Sequence, residues 1–173
     1  MKPILFALAT FALCTTPAFT QTGTQAGGAT NSDQKFVDFA AQTDMMEAHL
    51  AQLAQDNAES QAVKDYAQML NTDHTKDYSM LTQTATKAGL TVPQGLDAAH
   101  DRMIAPLAKL KGAAFDHRYI QLMITGHEQA IAQYKKEAGD AQNPDIKAYA
   151  QQALPVLQKH LDGARDLEKQ HVK

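Results

Sequence analysis

The chain carries seven histidines in 173 residues, and the placement of three is unusual. His74 stands in the run Leu70-Asn71-Thr72-Asp73-His74-Thr75-Lys76-Asp77-Tyr78, with Asp73 beside it and Asp77 about one helical turn on. His160 falls between Leu157 and Ala164 on one apolar face, and His127 borders another, followed directly by Glu128. Glu47 intrudes in the same way between Thr43 and Leu50. One carboxylate and three imidazoles, one from each of four helical segments, supply the nitrogen and oxygen donors that zinc, iron, copper or manganese prefer. Asp73, Asp77, Glu128 and Asp116 are further candidates, either as ligands or as acceptors that orient the rings.

A metal-free reading competes with this one. A helical core can hold a histidine satisfied by a carboxylate or a carbonyl on the next helix. Four polar intrusions at similar depth leave both readings open. His49, His100 and His117 are expected at the surface and His171 in the tail.

Other chemistries find less in the chain. A ferritin-type di-iron centre wants Glu on two helices and Glu-x-x-His on two others. The only Glu-x-x-His here is Glu168 to His171 at the extreme C-terminus, so iron oxidation of that kind is not expected. There is no Gly-rich phosphate loop and no nucleophile elbow. The methionines, including Met45-Met46, Met69, Met80, Met103 and Met123, are expected to fill core gaps rather than bind copper.

The elements that would position these residues follow from apolar periodicity. The first helix is expected from about Asp33 to Asp56, with Ser32 or Asp33 as cap and Phe36, Phe39, Ala40, Thr43, Met46, Leu50, Leu53 and Ala54 inward. The second runs from about Ser60 to Ala88 and ends at Gly89. A long connection with Pro93, Gly95 and Pro106 holds a short helix, about Asp97 to Leu110, whose inward residues are Met103, Leu107 and Leu110. The third long helix spans about Ala113 to Ala138. The fourth starts at Asn143-Pro144, a cap followed by the helical position proline favours, and Pro155 is expected to bend it. Short, long and short links predict an all-α, ferritin-like four-helix bundle with one crossover. Counting helical rise from the loops puts Glu47, His74, His127 and His160 in the middle layer, spread over roughly 12 Å of the axis.

Composition limits the partners. A net charge of -3 without a basic cluster argues against nucleic acid. Lys2, the apolar run Ile4 to Cys14 and the small residues near Ala18 and Thr20 describe an export signal over residues 1–20. An apolar run of about eleven residues is too short for a transmembrane helix, which needs about twenty. Leu13 before Cys14 departs from a lipoprotein signal, and cleavage beyond Cys14 would leave the mature chain without a thiol. Residues 21–32, rich in Gly, Thr and Gln, are expected to be a flexible linker to a domain over 33–170. The chain is expected in the periplasm or secreted; homo-oligomerisation and any protein partner stay open.

Several motifs taken together resemble one family. They are Phe36-Val37-x-x-Ala40-Ala41, Glu47 after a Met pair, Ala67-Gln68-Met69-x-x-x-Asp73-His74-Thr75-Lys76, Phe115-Asp116-x-x-Tyr119-Ile120, His127-Glu128 and Leu154-Pro155-x-x-x-x-His160-Leu161. The pattern is similar to exported bacterial proteins grouped as domain of unknown function 4142, which are often labelled outer membrane proteins. The resemblance covers about Asp33 to Leu167. It implies a ferritin-like fold and Glu47, Asp73, His74, His127, Glu128 and His160 as signature positions, with Asp77 and Tyr78 as departures. It implies no activity, and the chain lacks the alternating strands of an outer-membrane barrel. Three roles remain in view: metal handling or stress protection, a non-catalytic envelope module whose polar cluster sets helix register, and hydrolysis by metal-activated water.

Overall fold

A computed structural model describes residues 28–171, apart from the side chain of His171. The expected export signal over 1–20, Cys14, residues 21–27 of the expected linker and residues 172–173 lie outside the described residues. All the regular structure described is helical: α1 (Asn31–Asn57), α2 (Gln61–Lys87), α3 (Ala98–Leu107), α4 (Gly112–Asp140) and α5 (Pro144–His171).

The ends of these helices follow local chemistry. α1 begins two residues earlier than expected because Thr30, not Ser32 or Asp33, is the cap. The Thr30 hydroxyl accepts the Asp33 amide at 3.2 Å, and the Asp33 carboxylate accepts the Thr30 amide at 2.7 Å. Gly89, at φ +75°, closes α2: its amide bonds the Thr86 carbonyl and the Leu90 amide reaches back to Ala85. The Asn143 side chain accepts the amides of Asp145 and Ile146 to start α5, which stays helical through Pro155. α4 runs one residue past Gly139, to Asp140. α3 is shorter than expected; Leu107 faces inward as expected, joined by Ile104 in place of Met103, which is 48% exposed.

α1 rises from what we call the lower end to the loop at residues 58–60, and α2 descends beside it. α4 starts back at the upper end, where Glu59 accepts the Ala113 amide at 3.0 Å. The connection between α2 and α4 therefore climbs the whole length of the molecule. Near the bottom the Thr91 amide donates to the Gln34 side chain; higher up, Gln42 pairs with Gly95 and Asp97. α3 then packs against α1 and α4. α4 descends and α5 returns upward, with α1 beside α2 and α4, and α5 beside α4 and α2.

The core is in two parts. An upper cluster contains Leu50, Leu70, Tyr119 and Met123, and a lower one Phe36, Leu81, Tyr134 and Leu157. Every long helix contributes to both. On each of them the changeover falls at a buried polar residue: Asp44 and Glu47 on α1, His74 on α2, His127 on α4 and His160 on α5. The polar groups thus form a layer across the middle of the molecule, sealed above and below by apolar side chains. Among the described residues, no helix is long and apolar enough to cross a membrane.

Candidate metal centre

Four helices bring their polar residues to this layer because each carries an apolar face interrupted once, at a matching height. The His74 and His160 ring centroids lie 5.2 Å apart, as do those of His127 and His160, while His74 and His127 are 5.8 Å apart. The axial spread expected from helical rise is an overestimate. Helical side chains lean toward their own N-terminus. His74 and His127, on descending helices, lean upward, whereas His160, on an ascending one, leans downward. The three rings meet in the middle.

Each ring has one nitrogen held by an oxygen acceptor. His74 Nδ1 lies 2.8 Å from Asp44 Oδ1, with both residues almost fully buried. His127 Nδ1 lies 2.8 Å from the Met123 carbonyl, one helical turn back. His160 Nε2 lies 3.0 Å from Asp73 Oδ2. Carbonyls and carboxylates accept, so each of these nitrogens carries the proton. In the neutral rings the lone pairs are then on His74 Nε2, His127 Nε2 and His160 Nδ1. His74 Nε2 has no hydrogen-bond partner, and the other two face each other at 3.3 Å.

Electrostatics keep two of these rings neutral. Burial, with the neighbouring imidazoles His74 and His160, pushes His127 down to about 3. Burial also carries His160 down to about 4 against the pull of Asp73. For His74, burial works downward but the Asp44 hydrogen bond and the charges of Glu47, Asp44 and Asp77 outweigh it, so its value is raised. Burial lifts both Asp44 and Glu47 to about 7.

One ring nitrogen from each of the three histidines lies within 4.8 Å of the others. A tetrahedral zinc with bonds of 2.0–2.1 Å separates its nitrogen ligands by about 3.3–3.4 Å. The His127–His160 pair already stands at that distance, and the His74 nitrogen lies within 4.8 Å of both.

The remaining expected site residues are placed as follows. Glu47 is buried beside the cluster, with Oε1 4.0 Å from His127 Nδ1 and Oε2 without a hydrogen-bond partner. That ring nitrogen faces Met123, so Glu47 adjoins the back of the His127 ring rather than the converging nitrogens. Asp73 orients His160. Asp77 accepts the Tyr149 hydroxyl at 2.6 Å, and Tyr149 in turn meets Tyr134 across 3.3 Å between hydroxyls. Two candidates are corrected. Asp116 sits at the upper end, where its carboxylate accepts the amides of Glu59 and Ser60 and so fixes the loop that leads into α2. Glu128 is rotated about 100° from His127 around the helix and pairs outside with Arg165 at 2.7 Å.

Asp44 is the residue that sequence reasoning missed. The signal was present, because Val37, Ala40, Ala41, Asp44, Glu47, Ala51 and Ala54 share one face. Of the expected stripe, Phe36, Ala40, Met46, Leu50 and Ala54 are buried, while Phe39, Thr43 and Leu53 are only half-buried, and Asp44 rather than Thr43 turns inward.

A family model described as Domain of unknown function (DUF4142) matches residues 18–167. No curated protein matches the chain. Among solved structures, the chain is similar to one titled "Crystal structure of DUF305 fragment from Deinococcus radiodurans". The two share 19% identity and a TM-score of 0.68 over 83% of this chain and 97% of that one, which is a likeness of fold.

Proposed function

The chain belongs to the DUF4142 family, and from that premise we propose that it is an exported protein binding a transition metal through His74, His127 and His160. Its architecture is a ferritin-like four-helix bundle, supported by the α2–α4 connection that climbs the full height between two antiparallel pairs. The role is metal handling or stress protection in the cell envelope, with the protein periplasmic or secreted after loss of its export signal.

One observation carries the metal reading. His127 Nε2 and His160 Nδ1 stand 3.3 Å apart while the other nitrogen of each ring faces an oxygen acceptor. Two lone pairs pointed at each other in a buried layer repel, and a cation between them turns repulsion into ligation. His74 Nε2, also without a partner, supplies the third donor. A histidine ligand whose far nitrogen is held by a carboxylate or carbonyl is the usual arrangement around a protein-bound metal. Three imidazoles and no thiolate suit zinc, iron or copper, whereas manganese favours oxygen donors. Two buried carboxylates nearby, Asp44 and Glu47, balance the charge of a divalent ion.

The test is elemental analysis by mass spectrometry of protein prepared without a His-tag or chelator, before and after zinc titration. One ion per chain in the wild type and its loss in His74→Ala is the expected result. Absence of stoichiometric metal, with none gained on titration, would refute the reading.

One feature favours a second reading, that of a metal-free module whose polar layer sets helix register. The 3.3 Å separation is also within hydrogen-bond range if His160 carries a proton on each ring nitrogen, donating from Nε2 to Asp73 and from Nδ1 to His127 Nε2. On that reading His160→Leu changes melting temperature and leaves metal content at zero in both proteins.

A further inference from the structure

We propose that Asp33 and Glu137 form a proton-dependent latch at the lower end of the molecule, closed when one proton lies between their carboxyl groups and open when both are charged. Asp33 sits in the first turn of α1 and Glu137 in the last turn of α4, and both side chains are buried. Their carboxyl groups meet in a side-chain hydrogen bond. Carboxylates only accept, so a hydrogen bond between two of them needs a proton on one. No neighbouring donor takes its place. Asp33 Oδ2 is occupied by the Thr30 amide at 2.7 Å and the Thr30 hydroxyl at 2.9 Å. Asp33 Oδ1 and Glu137 Oε1 are buried and receive no hydrogen bond from any other group. A hard cation such as calcium would want about six to eight oxygens. The next acidic residue along α4, Asp140, is exposed and turned to Lys136 at 3.4 Å.

Electrostatics agree with this geometry. Burial, the hydrogen bond to Asp33 and the Asp33 charge raise Glu137 from 4.5 to about 7, with Asp140 adding to the rise and Lys136 opposing it. Lys35 of α1 and Lys136 line the groove that Glu137 also lines, which gives the proton a way to solvent. On the α5 side, Lys147 is engaged by the Gly139 carbonyl at 2.9 Å. Between pH 4.5 and about 7 the folded protein therefore holds a proton that the unfolded chain releases. The latch's contribution to stability is present below about 4.5 and is lost as pH rises through about 7.

Asp33 is also the reciprocal partner of the Thr30 cap, so charge repulsion from Glu137 acts on the first turn of α1. The next residue, Gln34, accepts the Thr91 amide at 3.1 Å and donates to the Thr91 carbonyl at 2.8 Å. An open latch thus loosens both the start of α1 and the lower end of the long connection. The histidine layer, about three turns up α1, is not part of it.

The experiment measures amide hydrogen exchange of the full chain at pH 5 and pH 8, corrected for the intrinsic effect of pH. In the wild type, protection of residues 34–38 and of Thr91 should fall at least tenfold between the two, relative to residues 120–124 in the upper part of α4. Glu137→Gln, whose carboxamide donates to Asp33 without titrating, should keep that protection at both pH values. Asp33→Asn supplies the donor from the other side and replaces Glu137→Gln if that variant does not fold. In Asp33→Asn the Glu137 carboxyl, followed by carbon-13 NMR, should titrate at least one pH unit lower than in the wild type. Equal wild-type protection at pH 5 and pH 8 would overturn the proposal, as would a fall that persists in Glu137→Gln. Recovery of wild-type protection at pH 8 on adding calcium chloride would make the pair a cation site and would also overturn it.

Discussion

Asp44→Asn is the sharpest test of how the histidine layer is organised. Asp44 Oδ1 lies 2.8 Å from His74 Nδ1 and, as a carboxylate, can only accept there, which leaves the His74 lone pair on Nε2. Asparagine preserves the shape but removes the charge, and its amide can turn to donate. A donated hydrogen bond puts the ring proton on Nε2, where it blocks a ligand. Loss of such an orienting partner costs about 10–100-fold in metal affinity. At a metal concentration of about 100 times the wild-type Kd, binding stabilises the wild type by about 2.7 kcal/mol. The same concentration then stabilises Asp44→Asn by only about 0.4–1.4 kcal/mol. At about 2–4 °C per kcal/mol for a domain of this size, the metal-induced rise in Tm should be about 5–11 °C for wild type and about 1–6 °C for the variant. Differential scanning calorimetry of both proteins, each with and without zinc, reads this directly. Comparing each protein with its own metal-free form removes any change in intrinsic stability. An equal metal-induced shift in the two proteins would show that Asp44 does not set the His74 tautomer, and the reasoning would fail.

Glu47→Gln tests the buried carboxylate. Burial raises Glu47 from 4.5 to about 7, so between those values the folded protein holds a proton that the unfolded chain releases. This contribution to stability is present below about pH 4.5 and is lost as pH rises to about 7. In metal-free protein, Glu47→Gln should therefore gain on wild type by roughly 1.4 kcal/mol per pH unit across that window. Urea midpoints at pH 5, 6 and 7 measure it, and parallel curves for the two proteins would contradict it. Asp116→Ala should remove the acceptor for the Glu59 and Ser60 amides in the loop before α2 and cost about 1–3 kcal/mol, seen as a lower urea midpoint. Its metal stoichiometry should stay at the wild-type value, since Asp116 is at the upper end rather than in the layer.

Much of the fold was legible because its signals are local. Gly89 stops α2 through a left-handed backbone that glycine adopts without strain. Asn143 and Pro144 start α5 through a side-chain acceptor and a preset backbone angle. The missed Thr30 cap has the same kind of chemistry, but Ser32 and Asp33 offered equal claims, and only the reciprocal bonds with Asp33 distinguish them. Asp44 was hidden by a different cause. Neighbouring residues point about 100° apart on a helix, and the apolar residues of α1 cover a face broad enough to admit either Thr43 or Asp44 at its centre. The rotation of α1 about its own axis is decided by what α2 and α4 press against it. Glu128 and Asp116 were misjudged for related reasons: one turns outward to Arg165, and the other serves a loop that is distant in sequence.

By itself the sequence determined that the chain forms helices, where most of them stop, and that three histidines interrupt apolar faces at comparable heights. Those properties depend on neighbours a few residues away, through helical periodicity and capping. Only the tertiary structure decided that the rings converge, because convergence depends on the opposite lean of side chains on ascending and descending helices. It alone decided which nitrogen of each ring is engaged, since the acceptors come from Asp44, Met123 and Asp73 in specific orientations. Hence His74, first notable for standing in a polar run with Asp73 and Asp77, takes its orienting partner from neither of them. It comes from Asp44 on another helix, 30 residues earlier in the chain.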